Sequence, residues 1–275
     1  MKKFITDIHT HSRFSFDGLD ELKDILARAQ EIGVDFYGVS EHVDYDLQLK
    51  HGATEYAFDA ERYFHDARHL QEDYAGVMNV LIGVELAYAR DARVQAYVKE
   101  LVAQYTPDFV INSIHSLNGD DYYDGVPFYN EDGTLRDLKT VYGEYLDLVA
   151  ESLHCPYHYD IVGHIGYPTR YAPQEDKALR YADFSDKIDT ILHTIIEKNK
   201  ILEVNASRGL DGLLPSDALL RRYFALGGRN VSYGSDTHGM QGICKERECV
   251  TAYLKDIGFT HIIVPCKGEY IKVEL

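Results

Sequence analysis

The chain has 275 residues, of which 45% are hydrophobic, and 45 acidic against 28 basic residues give it a formal net charge of −17. This length fits one large α/β domain or two small ones and is ample for a dry core. No Pro/Gly/Ser-rich linker divides the chain, so a single domain over residues 1–275 is the simplest interpretation. The negative charge argues against a nucleic-acid backbone as the main partner, because phosphate binding needs clustered lysines and arginines. No apolar stretch is long enough to span a membrane, and the N-terminal MKKFITDIHTH lacks the apolar h-region of a signal peptide.

Short apolar strands alternate with amphipathic helices in chain order. The predicted strands are 4–11, 36–42, 77–88, 108–116, 160–166, 201–207 and 230–236. The predicted helices are 19–33, 59–74, 91–104, 136–153, 183–199, 215–227 and 245–258. A final strand or hairpin follows over 261–275.

Seven such β–α units imply a parallel sheet covered by helices, either a closed or distorted barrel or an open doubly wound sheet. Neither a G-x-G-x-x-G nor a G-x-x-x-x-G-K motif occurs, so no phosphate-cradling loop supports the open sheet. The four cysteines lack the spacing of a paired metal site. We expect them to be free thiols in a cytoplasmic protein.

Two histidines, His9 and His11, stand one residue apart at the end of the first predicted strand. Side chains alternate faces along a strand, so both lie on the same face and can reach one metal ion. A single H-x-H is weak evidence, and by itself it is more often an ordinary polar strand end.

The same residue types recur where the other predicted strands end. These residues are His42, Glu85, His115, His164, Asp236 and His238. In a barrel of β–α units the carboxyl ends of the strands meet at one mouth. Imidazole and carboxylate are the ligands that divalent transition metals prefer, so the recurrence predicts a metal centre there.

Some positions have an alternative interpretation. Asp17 is either a further ligand or the N-cap of a helix that begins at Leu19. Glu41 and His42 point to opposite faces of their strand, and we expect His42 to enter the mouth. Asp236 could instead cap a turn, but His238 two residues later favours a ligand.

Two arginines follow strand ends on the same side of the predicted barrel. Arg170 comes after the fifth strand, and Ser207 and Arg208 come after the sixth. A guanidinium group matches phosphate oxygens in a bidentate manner, although both could be ordinary loop arginines. The long acidic, tyrosine-rich loop 117–133 is either a substrate-binding loop or a solvated surface loop.

Taken in order, H-T-H, S-E-H-V-D, G-V-E, S-I-H, G-H and G-S-D-T-H resemble the motifs of the polymerase-and-histidinol-phosphatase (PHP) superfamily. The resemblance covers almost the whole chain and implies a distorted (β/α)7 TIM-like barrel. Within the superfamily the chain is similar to stand-alone phosphatases of histidine biosynthesis. It implies hydrolysis of L-histidinol phosphate by in-line attack of a metal-bridging hydroxide.

The resemblance also implies three divalent metal ions, whether Zn, Mn, Fe or Co, with ligands carried over by position. His9, His11, Glu85 and Asp236 would hold the first ion. Glu85 would bridge to a second ion, held also by His115 and His164. Asp17, His42 and His238 would hold the third. Arg170, Arg208 and Ser207 would bind the phosphate, and Asp236 or His238 would protonate the leaving group.

Three other functions remain open from the sequence. The substrate could be a nucleotide, a sugar phosphate or a phosphodiester. The barrel could be a metal-dependent amidohydrolase, although such enzymes often use a modified lysine where this chain has His115. The chain could also bind metal without catalysis. The sequence does not indicate an oligomeric state.

Overall fold

Seven parallel strands form the central sheet in the computed structural model, which describes residues 4–52 and 54–275. The strands are β1 Thr6–Asp7, β2 Phe36–Val43, β3 Asn79–Ala87, β4 Val110–Ser113, β5 Ser116–Leu117, β6 Asp120–Asp121, β7 Ile161–Val162, β8 Ile201–Asn205, β9 Val231–Gly234, β10 His261–Cys266 and β11 Glu269–Glu274. The helices are α1 Leu22–Ile32, α2 Tyr45–His51, α3 Ala60–Asp73, α4 Ala92–Tyr105, α5 Leu138–Ser152, α6 Ser185–Glu197, α7 Asp217–Ala225 and α8 Arg247–Ile257. The N-terminal segment in which we expect no signal peptide begins with residues 1–3, and these lie outside the described residues.

The order of strands in the sheet is β1-β2-β3-β4-β7-β8-β9, and every neighbouring pair is parallel. The two edges approach each other beyond β1 and β9, where the backbone N–H of Asp236 donates to His9 (2.8 Å) and that of His11 donates to Thr237 (2.8 Å). The sheet is therefore a nearly closed barrel, and the predicted distorted (β/α)7 fold is confirmed.

The predicted strands over 4–11 and 160–166 are wrong in length, because β1 and β7 contain only two residues each. After β7 the N–H of Gly163 still donates to the carbonyl of Asn112 (3.0 Å), but the N–H of His164 donates to the side-chain carboxylate of Glu203 on β8 (2.6 Å) instead of to a backbone carbonyl.

Apolar side chains pack closely against the backbone of the central strands, and two glycines leave the space that one of these side chains needs. Gly38 and Gly83 face the ring of Phe109, and a Cβ built at these positions would lie 2.9 and 2.5 Å from ring atoms. Outside the barrel, α1 buries Leu22 and Ile25 and ends at Gly33, whose φ of 82° is the left-handed conformation that glycine tolerates best.

The chain ends in an antiparallel hairpin, β10 paired with β11, that packs beside β9 without joining the seven-stranded sheet. This decides between the two interpretations of residues 261–275 in favour of the hairpin. Within the described part of the chain, no helix has both the length and the apolar character that crossing a bilayer requires.

Helix α2, which the sequence pattern did not predict, carries a buried carboxylate, Asp46. Burial raises its pKa to about 6, and the nearby Asp44 adds to this, while a hydrogen bond from Ser116 opposes it. A carboxylate whose pKa is higher in the folded than in the unfolded protein lowers the free energy of unfolding. This loss is complete above the folded pKa and disappears as pH falls to the unfolded pKa.

We therefore expect Asp46→Asn to stabilise the protein at about pH 8 by at most about 3 kcal/mol, with a smaller gain at about pH 5. Urea unfolding at both pH values measures the difference. Asp24→Asn, at an exposed position of α1, is the control. A gain that is equal at both pH values, or a loss at the higher one, would contradict this account of Asp46.

Candidate active site

The side chains predicted as metal ligands lie together at the carboxyl end of the barrel. His42 and Glu85 are paired in register on β2 and β3. The remaining ligand candidates come just beyond strand ends: His9 and His11 after β1, His115 after β4, His164 after β7, and Asp236 and His238 after β9. The geometry thus brings together all the strand-end residues that the sequence predicted.

Glu85 stands at the centre of this cluster and is fully buried. Its Oε1 lies 2.8 Å from His164 Nε2 and 3.1 Å from His115 Nε2. Its Oε2 lies 3.1 Å from His9 Nε2 and 3.2 Å from His42 Nδ1. One carboxylate therefore faces imidazole nitrogens from four strands, which suits it to bridge two cations.

Four groups of side chains place their ligand atoms within 4.8 Å of one another. They are His11, His42 and His238; His9, Glu85 and His164; His9, His11 and Asp236; and His42, Asp44 and His115. Carboxylate and imidazole together are a suitable donor set for zinc, manganese, iron or cobalt.

The hydrogen bonding of the cluster is incomplete without cations. Among the described residues, His9 Nε2, His11 Nε2, His42 Nδ1 and Glu85 Oε2 are buried and form no hydrogen bond, because the close contacts of Glu85 Oε2 with His9 and His42 lack hydrogen-bond geometry. Two pairs of imidazoles also face each other, His115 Nε2 to His164 Nε2 and His42 Nε2 to His238 Nε2, each at 3.4 Å. Buried polar atoms are normally paired, so this arrangement fits metal ions between the rings.

The charges within the cluster are strongly coupled. Burial would raise the pKa of Glu85, but the neighbouring His9, His115 and His42 hold it well below its usual value. Burial would lower the pKa of His238, but its contact with Asp17 raises it to about 9. Because metal ligands must be deprotonated, cations and protons compete for this site.

Asp17 belongs to the cluster and does not cap a helix. Helix α1 begins at Leu22 with Glu21 before it, so the expected helix start at Leu19 is wrong. The carboxylate of Asp17 lies 3.0 Å from His238 Nε2 and 3.9 Å from His42 Nε2. The same contact with His238 lowers the pKa of Asp17, although burial opposes it.

The two predicted arginines have different surroundings. Arg170, at the end of the short 3₁₀ helix Tyr167–Arg170, forms an ion pair with Asp236 Oδ2 (3.2 Å) and donates to Asn205 Oδ1 (2.6 Å). Arg208 lines the cavity with its guanidinium carbon 5.9 Å from the ring centre of Tyr171, and Ser207 lies beside it. Arg170 is thus tied to a candidate ligand, whereas Arg208 faces the cavity.

Two carboxylates that the sequence reasoning missed contact the candidate ligands directly. Glu203 Oε1 lies 2.5 Å from His9 Nδ1, and Asp44 Oδ1 lies 3.0 Å from His115 Nδ1. In each pair the other nitrogen, Nε2, faces Glu85. A carboxylate on Nδ1 sets the tautomer that leaves Nε2 free to bind a metal.

The missed carboxylates left a signal in the sequence. Glu203 and Asn205 share a face of β8 by strand alternation, and Asp44 lies two residues after His42. Glu41, expected to point away from the mouth, is fully buried behind it and accepts hydrogen bonds from Ser12 and Ser15. Burial raises the pKa of Glu41 to about 7.

A cavity of about 500 Å³ opens above the cluster. Arg170, Ser207 and Arg208 line it together with six of the nine metal-ligand candidates, which are Asp17, His42, His115, His164, Asp236 and His238. Residues of the loop 117–133 complete the wall. Two side chains of this loop, Tyr122 and Phe128, are fully buried in the core, so the loop is anchored and not merely solvated.

Comparisons with known proteins agree with this arrangement. The PHP domain family matches residues 7–207 of the chain. The chain is similar to a probable histidinol-phosphatase of Clostridium acetobutylicum, with 29% identity over 239 residues that cover 85% of this chain and 86% of the relative. It is similar also to a histidinol-phosphatase of Lactococcus lactis subsp. lactis, with 27% identity over 241 residues, 86% of this chain and 85% of the relative.

The crystal structure of histidinol phosphate phosphatase from Lactococcus lactis subsp. lactis contains zinc, L-histidinol and phosphate. It superposes with a TM-score of 0.81 at 25% sequence identity, covering 98% of this chain and 99% of that chain. The barrel, the order of the strand-end motifs and the extent of the family match lead to one conclusion: the chain belongs to the PHP domain family.

Proposed function

We propose that the chain is a metal-dependent phosphomonoesterase that hydrolyses L-histidinol phosphate to L-histidinol and phosphate in histidine biosynthesis. The observation that carries the proposal is the cavity that joins clustered His, Asp and Glu side chains to two arginines. The likeness to a zinc-containing histidinol phosphate phosphatase supports the same substrate. Its cytoplasmic location stays a prediction.

We assign the ligands of three divalent ions as the resemblance implies. His9, His11, Glu85 and Asp236 would hold one ion. Glu85, His115 and His164 would hold a second, and Asp17, His42 and His238 would hold a third. Bound metals would polarise the phosphoryl oxygens and supply hydroxide at neutral pH. Zinc has the most support among the metals, since the Lactococcus lactis structure contains it.

The chain's own side chains then orient the ester. Arg208 reaches into the cavity and binds phosphate oxygens with its guanidinium fork, and Ser207 adds a polar contact. Arg170 holds Asp236 in place and adds positive charge beside the phosphate. Asp236 and His238 are the two candidates for delivering a proton to the leaving alkoxide oxygen.

The proposal is tested by phosphate release from L-histidinol phosphate, measured on protein reconstituted with zinc or manganese. A nucleoside monophosphate, a sugar phosphate and a phosphodiester serve as competitors. We expect kcat/KM for L-histidinol phosphate to exceed the others by at least about 10²-fold, and a chelator to abolish the activity reversibly. A better nucleotide or sugar phosphate would remove the substrate assignment, and no hydrolysis at all would favour a non-catalytic metal-binding protein.

Glu203→Gln is expected to weaken metal binding by about 10- to 100-fold, because His9 loses the carboxylate that orients it. Asp44→Asn is expected to do the same through His115. Titration against a chromophoric chelator measures the affinity without turnover. Glu197→Gln, at an exposed position of α6, is the matched control. Unchanged metal affinity in both variants would show that these carboxylates serve only the local hydrogen bonding.

A further inference from the structure

One part of the cavity wall has no role in holding metal or phosphate. It consists of Asp121, Tyr123 and Asp124 from the loop 117–133, together with Tyr167 and Tyr171. These residues extend the cavity beyond the cluster that surrounds Glu85. A phosphate monoester bound at the metal centre must place its alcohol part somewhere within the same cavity.

Asp121 is held close to the metal centre by the short hairpin β5–β6. It pairs in register with Ser116, which directly follows the ligand candidate His115, and the N–H of Tyr122 donates to the carbonyl of His115 (3.0 Å). These contacts fix the backbone at Asp121 relative to His115, and the Asp121 side chain lines the cavity.

The carboxylate of Asp121 has no countercharge of its own. Its Oδ1 accepts a hydrogen bond from the backbone N–H of Tyr123 (2.8 Å), but no described Lys, Arg or His lies within ion-pair distance. The adjacent Asp120, by contrast, is paired with Lys50 (2.5 Å). Burial raises the pKa of Asp121 to about 7, against the opposing effects of the Tyr123 hydrogen bond and the nearby His115, and Asp44 and Asp124 add to the rise.

Aromatic rings stand next to this carboxylate. Tyr123 meets Tyr171 edge to face at 5.3 Å between ring centres, and Tyr171 meets Tyr167 at 5.1 Å. Tyr167 in turn lies 4.9 Å from the ring of His164. An unpaired carboxylate beside tyrosine rings suits a ligand that carries both a positive charge and a flat apolar group.

We propose that Asp121 is a specificity-determining residue, which binds the ammonium group of the leaving alcohol so that the enzyme selects phosphate esters of cationic amino alcohols. The proposal rests on the phosphatase function proposed above. The ammonium group supplies the missing countercharge, and a neutral alcohol leaves the carboxylate unpaired inside the cavity. A site built for a polar partner rejects analogues that lack it.

The test compares kcat/KM for two esters, L-histidinol phosphate and the neutral, ring-bearing 3-phenylpropyl phosphate. Wild type, Asp121→Asn and the matched control Asp120→Asn are measured after metal reconstitution. We expect Asp121→Asn to lose about 10²-fold on L-histidinol phosphate, mainly through KM, with little change on the neutral ester. Asp120→Asn is expected to leave the ratio of the two esters at the wild-type value.

Two further measurements separate substrate recognition from damage to the site. Inhibition by inorganic phosphate is expected to be unchanged in Asp121→Asn, since the phosphate side of the cavity is intact. Binding of L-histidinol by calorimetry is expected to weaken by about tenfold or more. An equal loss on both esters, or a wild-type ratio in Asp121→Asn, would overturn the role of Asp121 while leaving the phosphatase assignment intact. A wild type that hydrolyses neither ester would overturn both.

Discussion

Replacing Glu85 by Gln is expected to reduce kcat on L-histidinol phosphate by on the order of 10³-fold or more. The reason lies in its central position, where two carboxylate oxygens face His9, His42, His115 and His164 at 2.8–3.2 Å. Glutamine keeps the shape but offers a neutral amide, so one oxygen donor and the negative charge are lost. Two of the proposed metal ions would lose their shared ligand.

Metal content measured by mass spectrometry, alongside activity, decides this prediction. We expect Glu85→Gln to bind fewer ions per chain than wild type, while circular dichroism shows an unchanged fold. Glu100→Gln, at an exposed position of α4, controls for loss of a surface carboxylate. Full metal content together with full activity would exclude Glu85 as a bridging ligand.

The second large loss of activity is expected when Arg208 or Arg170 is replaced. The two variants should differ in whether metal binding is also weakened. Arg208→Ala should raise KM and lower kcat/KM by about 10²-fold with metal content unchanged, because Arg208 contacts the cavity and no candidate ligand. Arg208→Lys should recover only part of this, since an ammonium group cannot form the bidentate contact.

Arg170→Ala should lower kcat and also weaken metal binding, because Arg170 forms the ion pair that holds Asp236. The Arg170 side chain is only 6% exposed, so its removal takes a buried positive charge from Asp236 Oδ2 and leaves that oxygen with the neutral amide of Asn205 (3.1 Å). Arg28→Ala, at an exposed position of α1, is the control. If both arginine variants changed KM alone, the distinction between phosphate binding and ligand positioning would be wrong.

Much of the architecture was predictable because its signals are local. The helical spacing of apolar residues placed the seven main helices, and Gly33 marked a helix end that the structure reproduces. The strand-end positions of His42 and Glu85 followed from alternation along strands. Parallel strands share one carboxyl end, so even the convergence at a single mouth was a consequence of chain order.

Strand length and pairing were not predictable, since they depend on partners far along the chain. Residues 4–11 read as one strand, yet β1 pairs with β2 only over Thr6–Asp7, and the N–H of His11 donates instead to Thr237 after β9. Similarly, the N–H of His164 donates to the carboxylate of Glu203, although the local sequence pattern predicts a backbone hydrogen bond within the sheet. Contacts between residues so far apart in the chain produce no periodic pattern in the sequence.

By itself, the sequence determined the order of the β–α units and the residue types that each strand end delivers to the mouth. Only the tertiary structure decided how these side chains pair. It placed Asp44 on His115, Glu203 on His9 and Arg170 on Asp236, and it left Asp121 facing the cavity without a countercharge. The physical reason is that local patterns set which face a side chain takes, whereas its partner depends on how distant segments meet.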